Sequence, residues 1–446
     1  MPAECFFWKS RATDERASAH PDGENVWQQD TRAARVKVLC VFGQHNYGDP
    51  KRGLAYEYVN FLPALQRLGH TVEFFESWNK SLYRDFADLN RRLLETVERI
   101  NPDTIFFVFL TYEVWLETLD LVRRHCPGIL VDWGTDDSWK YEQSSRFIAR
   151  HVDMHATTDA GACVKAAADG IGNFVATQWA ADAGKLREPL PARECRYAVS
   201  FVGTAYGKRP GIVHALKQQG IEVSCFGHGW SAGPVPAEDI PRINRESVIS
   251  LNFADSGVHG LLPRRYRQIK ARTFEVPGAG GFLITEKAKG LSEYYVPDQE
   301  VAVFDGVEDL ARKIQFFLKH PLERDRIARA GYERTRKEHT YDARFHELFR
   351  RATELRHARL GPGPQRQNNK CKFDLSVFDA MEQRHKPGAG LRILRRLLVA
   401  PCNAIFGSTR GPRAARRMLY EACWRLAGET TYSASGWPGR IFYLES

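Results

Sequence analysis

The chain reads as two successive α/β domains, each a parallel sheet flanked by helices, followed by a basic helical extension. Three observations predict this. Short runs of apolar and β-branched residues alternate with helix-length segments ended by glycine, the pattern of β-α-β units. The series begins again at Tyr197 with a second block of similar size. From Gly361 the composition changes to a Gly/Pro linker and then to a basic segment without strand patterns.

Residues 1–34 are polar, charged and without periodicity, and are expected to be a flexible leader. The first domain, 35–190, opens with Val36-Lys-Val-Leu-Cys-Val-Phe42, the run of a strand buried on both faces. The loop Gly43-Gln-His45-Asn46-Tyr-Gly48 follows, then a helix from about Gly53 to Leu68, the stop Gly69-His70 and the strand Thr71–Phe75. Further strands are expected at Thr104–Leu110, Gly128–Asp132, His155–Thr158 and Phe174–Thr177. The second domain, 191–360, starts with the strand Tyr197–Val202, the loop Gly203–Arg209, a helix over 210–219 and the strand Ile221–Phe226. Strands at Val248–Phe253, Phe282–Thr285 and Val301–Phe304 complete it. Two Rossmann-like domains of this kind place ligands beyond the carboxyl ends of their strands, and so in an interdomain cleft. In the extension, 361–446, Pro387 and Pro401 bracket a short helix at Leu391–Ala400 with leucines on one side and arginines on the other, and Arg413–Leu426 repeats the theme.

A chain of 446 residues with 43% hydrophobic content can build two or three cores. No run approaches the roughly 20 apolar residues of a membrane span, and the N-terminus lacks the order of a signal peptide. The nine cysteines are scattered and show no Cys-x-x-Cys spacing, so neither a disulfide framework nor a zinc site is expected, and the cytoplasm is the default compartment. From Gly361 on there are 14 Lys and Arg against six Asp and Glu, eight of the ten net positive charges. The basicity belongs to a tail and not to a folded face, which argues against a nucleic-acid partner. Its helices suit either docking on the body of the protein or lying on an anionic membrane surface, which would make the protein peripheral on the inner face of a membrane.

The segment Arg272-Thr-Phe-Glu275-Val-Pro-Gly-Ala-Gly280-Gly281-Phe-Leu-Ile-Thr285 carries the sharpest chemistry. It reads as a helix with Arg272 and Glu275 one turn apart, closed by a Gly-rich turn that feeds a buried strand. A carboxylate so placed can accept two hydrogen bonds from a vicinal diol, and the glycines allow close backbone approach. Arg272 could reach a phosphate or pair with Glu275; the plain alternative is a helix-to-strand turn with a surface ion pair. Glu275 followed by Gly280 and a hydrophobic strand resembles the Glu-Ala-x-Ala-x-Gly segment of family 4 and related GT-B glycosyltransferases. Arg-x-Phe-Glu with this turn looks most like the CgeB-like, spore-maturation group. The resemblance continues through Tyr294-Tyr295, Asp305, His320-Pro321-Leu-Glu-Arg and Glu338-His339-Thr340-Tyr341-Asp-Ala-Arg344. It is clear over roughly 197–350 and weaker over 36–190.

The resemblance implies a two-domain GT-B fold that transfers a sugar from a UDP-, GDP- or TDP-linked donor without a metal or a permanently bound cofactor. Glu275 would hold the donor ribose. The acceptor would be a carbohydrate, a lipid-linked molecule or a protein. Family 4 enzymes carry a second glutamate eight residues before the first; here that position is Arg267, so their donor geometry is not carried over whole. The related loop Gly-Arg-x-x-x-x-Lys-Gly becomes Gly203-Thr-Ala-Tyr206-Gly-Lys208-Arg209, which keeps one cation position and loses the other to Thr204. Diphosphate binding would then draw on Lys270 or Arg272, with the helix N-terminus adding N–H groups. A solvated Lys-Arg pair on a plain turn is the competing account. His228 and Trp230, in Gly227-His-Gly-Trp, could meet the nucleobase, or Trp230 could fill the core. Asn252 ends a strand. On the first domain Gly43, Asn46 and Gly48 would line the acceptor side, with His45 as a group that polarises a hydroxyl or an ordinary loop histidine. Asp136 and Asp137 cluster beyond a strand end; one could act as base with its pKa raised by its neighbour, or cap a helix. The alternative class is a non-catalytic carbohydrate- or nucleotide-binding structural protein of the same fold.

Overall fold

The computed structural model describes residues 35–259, 264–361 and 370–445. The expected leader, 1–34, and most of the Gly361-Pro-Gly-Pro linker lie outside them. The chain divides into two compact units: residues up to Thr177 together with His346 onward, and Gln178–Phe345.

In the first unit six strands make one parallel sheet in the order β2-β1-β3-β4-β5-β6. They are β1 (Lys37–Phe42), β2 (Thr71–Glu76), β3 (Thr104–Phe107), β4 (Ile129–Gly134), β5 (Met154–Thr157) and β6 (Phe174–Ala176). The central strands β3, β4 and β5 are buried at every position, whereas the edge strand β2 alternates. The crossovers are α1 (Tyr56–Arg67), α2 (Phe86–Ile100), α3 (Leu116–His125), a helical run containing α4 (Asp137–Lys140) and α5 (Arg146–Ile148), and α6 (Ala160–Ala168). α2 shows why such a segment is a helix. Asp85 caps it by accepting from the Asp88 N–H at 2.9 Å, Asn101 ends it in the left-handed region, and Phe86, Leu89, Leu93, Leu94, Val97 and Ile100 form its buried stripe.

The second unit holds a five-stranded parallel sheet in the order β13-β12-β9-β7-β8. The strands are β7 (Tyr197–Val202), β8 (Ser224–Phe226), β9 (Ser247–Asn252), β12 (Leu283–Glu286) and β13 (Ala302–Phe304); β10 (Asp255–His259) and β11 (Arg264–Arg267) form an antiparallel pair not expected from the sequence. Its helices are α7 (Arg209–Gln218), α8 (Ile240–Arg245), α9 (Arg272–Gly278), α10 (Val307–Lys319) and α11 (Pro321–Glu338). Counted within its own unit, the first sheet runs 2-1-3-4-5-6 and the second 2-1-3-4-5, the doubly wound order whose ligand crevice opens between the first and third strands. Arg324, fully buried, stitches this unit by donating to the carbonyls of Leu190, Ser247 and Val248 at 2.8–2.9 Å.

α12 (Tyr341–Leu360) leads back to the first unit, where α13 (Leu375–His385), α14 (Ala389–Phe406), α15 (Gly411–Leu426) and α16 (Trp437–Ile441) pack. Phe373, Phe378, Met381, Tyr420 and Tyr432 join one core with α2 and α3, and Phe378 stacks on Trp115 at 5.7 Å. Pro401 does not end the expected short helix: α14 runs on to Phe406. The expectation of no disulfide is also corrected. Cys126 and Cys371, both buried, are bonded across 245 residues of sequence, a separation at which spacing carries no signal.

Candidate functional site

The loop after β7 and the helix α9 meet at the carboxyl ends of β7 and β9, the crevice position of the second sheet. Two guanidiniums converge there on one ring. Arg209, 3% exposed, lies over Phe201 at 5.4 Å and over Tyr206 at 4.0 Å. It donates to the Thr204 carbonyl at 2.9 Å and to the Tyr206 hydroxyl at 3.1 Å, while its Nε has no hydrogen-bond partner. Arg272 lies over the same Phe201 at 5.3 Å and donates to Asn252 Oδ1 at 2.8 Å. Burial, and then the Arg272 charge, pull Arg209 down to about 10. Concentrating two cations this way costs free energy that an anion between them would return.

Several surrounding residues exist to hold that geometry. Asn252 Nδ2 donates to Thr285 Oγ1 at 3.0 Å and to Thr273 Oγ1 at 3.3 Å, which orients its oxygen toward Arg272. A Cβ at Gly203 would stand 2.9 Å from Arg272 Nη2 and 2.9 Å from Phe201, so glycine here makes room for the guanidinium. Trp230 donates to the Gly203 carbonyl at 2.7 Å and meets Phe201 edge-on at 6.1 Å; its indole supports the loop from the core side. His228 is exposed at the tip of the same loop. Lys208 stands exposed immediately before α7, and Lys270 precedes α9. Glu275 is half-buried in the first turn of α9.

Gly280 and Gly281, expected to let a ligand approach, are buried against protein backbone instead. Cβ atoms there would fall 2.5 Å from the Arg187 carbonyl and 2.6 Å from that of Asn244. Arg267, at the position of the missing glutamate, pairs with Glu286 at 3.3 Å and Asp305 at 3.1 Å. His339 packs edge-on to Phe274 of α9 and donates from Nε2 to the Tyr294 carbonyl at 2.8 Å; burial and Arg344 lower it to about 3, so it is neutral there.

On the first unit the loop after β1 is shaped by Trp78. A Cβ at Gly43 would fall 2.3 Å from its ring, and one at Gly48, whose φ is +69°, 2.1 Å from its carbonyl oxygen. Packing therefore accounts for both glycines. Asn46 ties the loop by donating to the carbonyls of Arg52 and Leu54, and His45 is half-buried beside it.

The loop after β4 rests on a buried triad that the sequence did not reveal. Asp132 and His155 face each other across the register of β4 and β5. His155 Nε2 lies 2.9 Å from Asp137 Oδ2, and its Nδ1 lies 2.8 Å from Asp132 Oδ2 in an ion-pair contact bent away from hydrogen-bond linearity. Burial opposes the imidazolium, but the two carboxylates override it and raise His155 to about 10. Burial alone would raise Asp137, and the imidazolium overrides that too, holding it below the usual carboxylate range. Asp137 also accepts from Ser145 Oγ at 2.5 Å. This corrects the expectation for Asp137, which is a buried anchor with a lowered pKa; Asp136 occupies the cap position without a side-chain cap bond. Another carboxylate was missed. Glu57, 8% exposed in the first turn of α1, is raised to about 7 by burial and feels the charges of Lys140 and Asp136. Among the described residues no group of three His, Cys, Asp or Glu is placed to hold a metal ion.

Residues 209–350, which include Arg209, Arg272 and Glu275, match a family model described as glycosyl transferase-like. No curated protein matches the chain. Among solved structures, sucrose-phosphate synthase from Thermosynechococcus elongatus aligns with a TM-score of 0.51 at 12% identity, over 72% of this chain and all of that one. A glycosyltransferase from Rickettsia africae gives 0.49 at 11% identity over 74% and 100%, and HepE of Anabaena with UDP-glucose 0.48 at 12% over 72% and 100%. The fold is therefore that of GT-B glycosyltransferases, with two Rossmann-type parallel sheets and a helical C-terminal region.

Proposed function

We propose that the protein is a glycosyltransferase that takes a sugar from a nucleoside-diphosphate donor. The observation that carries this reading is the meeting of Arg209 and Arg272 over Phe201 at the crevice end of β7 and β9. As the acceptor oxygen attacks the anomeric carbon, the bond from that carbon to the phosphate oxygen breaks and negative charge gathers on the diphosphate. Two preoriented guanidiniums, the N–H groups that open α7 and the exposed Lys208 are the groups that meet that charge. They supply in this reading the positive charge that a divalent ion supplies elsewhere. In this reading Glu275 accepts from the ribose diol, and the exposed His228 meets the base. On the first unit, Asp136 and His45 remain the acceptor-side candidates, while Asp137 holds the loop of Asp136 in place.

A thermal-shift screen against UDP, GDP, TDP and their sugars, with and without EDTA, tests the reading. Stabilisation by one nucleotide class, indifferent to EDTA and lost in Glu275→Ala and Arg272→Ala, is the expected result and names the donor. Absence of any shift refutes it. Binding without sugar consumption across carbohydrate, lipid-linked and protein acceptors favours the non-catalytic member of the same fold, a reading to which the loss of one cation at Thr204 gives some weight.

A further inference from the structure

We propose that the outer face of α14 is a docking surface for an anionic lipid bilayer. The helix has two faces with different duties. Leu391, Leu394, Leu398, Val399 and Cys402 turn inward and share a core with Leu419, Cys423 and Phe442. Packing of α14 against α15 and α16 is thereby satisfied. It does not account for the other face.

There Ile393, Leu397, Ala400 and Ala404 recur at i, i+4, i+7 and i+11, one stripe along the helix, and all four are exposed. Ile393 is 56% and Leu397 67% exposed; at the C-terminal end Ile405 and Phe406 stand at 72% and 52%. Large aliphatic side chains so open to solvent, and in register, mark a surface that is covered in use. The charge beside them says by what. Arg392 and Arg396 are exposed along one border of the stripe. From Lys386 to Ala427 the sequence holds nine Lys and Arg and a single acid, Glu421. That acid is buried and is taken up by Trp424 and Arg425, and Arg395 pairs with Glu445, so both acids are engaged away from Arg392 and Arg396.

A surface that is aliphatic at its centre and uniformly cationic at its border complements an anionic membrane. The isoleucine and leucine enter the acyl boundary while the guanidiniums stay among the phosphates. No helix among the described residues is long and apolar enough to cross a bilayer, so the helix lies along it. The inference stands on α14 alone and does not depend on sugar transfer.

The test is co-sedimentation of the full chain with vesicles of phosphatidylcholine alone and with about one part in four phosphatidylglycerol, at low and high salt. The expected result is binding to the anionic vesicles that weakens as salt rises. Ile393→Ser with Leu397→Ser lowers the partition coefficient roughly 10- to 100-fold. Arg392→Gln and Arg396→Gln each lower it about fivefold on anionic vesicles only. All four side chains face solvent, so these variants unfold at the wild-type temperature. No binding to anionic vesicles overturns the proposal, as does equal binding by the serine variant. A wild-type dimer that the serine variant converts to monomer, with no lipid binding, overturns it in favour of a second copy on this face. Nucleotide-induced thermal shifts on the same preparations report separately on the donor site, so either reading can fall without the other.

Discussion

Replacing His155 by alanine removes the cation held between two buried carboxylates. Its rise from 6.5 to about 10 is worth roughly 5 kcal/mol between the charged and neutral imidazole, at about 1.4 kcal/mol per pKa unit. Part of this is returned, because Asp132 is raised by its own burial, so the net loss expected is about 3–5 kcal/mol, the range for breaking a buried ion pair from one side. The sign with pH follows from the folded values. A histidine raised in the folded state stabilises fully below about pH 6.5, and the wild-type contribution disappears as pH rises through about 10. Asp137, lowered in the folded state, stabilises above its ordinary value near 3.8 and ceases to as pH falls through its folded value. Urea titration followed by tryptophan fluorescence reads both, since Trp133 lies on β4 beside the triad. A loss under about 1 kcal/mol at pH 7, or a wild-type stability that is flat from pH 7 to 10, refutes the assignment of an imidazolium.

Three further outcomes are expected. Gly203→Ala forces the Arg272 guanidinium or Phe201 to move, costing about 1–3 kcal/mol and weakening nucleotide binding about tenfold by calorimetry; unchanged affinity counts against Arg272 as a diphosphate ligand. Glu57, raised above its ordinary value to about 7, loses stability for the fold as pH climbs from about 4.5 to 7, so Glu57→Gln is more stable than wild type by about 1–3 kcal/mol at pH 8 and equal to it at pH 4. Reducing Cys126–Cys371 lowers the stability of the first unit by about 2–5 kcal/mol and opens residues 370–445 to protease, read by melting and limited digestion with and without dithiothreitol.

Interior strands were legible because burial on both faces writes an unbroken apolar run: Val36–Phe42 and Tyr197–Val202 were read to within a residue. The β10–β11 pair was not, since Asp255–His259 and Arg264–Arg267 are too polar to show alternation. At the site, Arg209, Arg272 and Glu275 were visible as charges at the ends of apolar segments. Phe201 and Thr273 were not, because an aromatic in a strand and a threonine in a helix look like core until their neighbours are known. The Asp132–His155 contact depends on strand register, which no local pattern contains. At Gly280 and Gly281 the glycines do mark a close approach, and the approaching group is backbone of the protein itself.

Because the first unit is assembled from both ends of the chain, it is a late product of translation. The apolar side of α2 and α3 that receives Phe378 and Tyr420 emerges early, and its cover emerges last. Cys126 leaves the ribosome 245 residues ahead of Cys371, an interval of roughly 10–50 s at 5–20 residues per second. The second unit, continuous in sequence, can close on itself within that interval. The nascent first half meanwhile presents Phe86, Leu93 and Trp115 to the surroundings, which makes it a client for holding chaperones and makes C-terminal truncation damaging to the whole first unit.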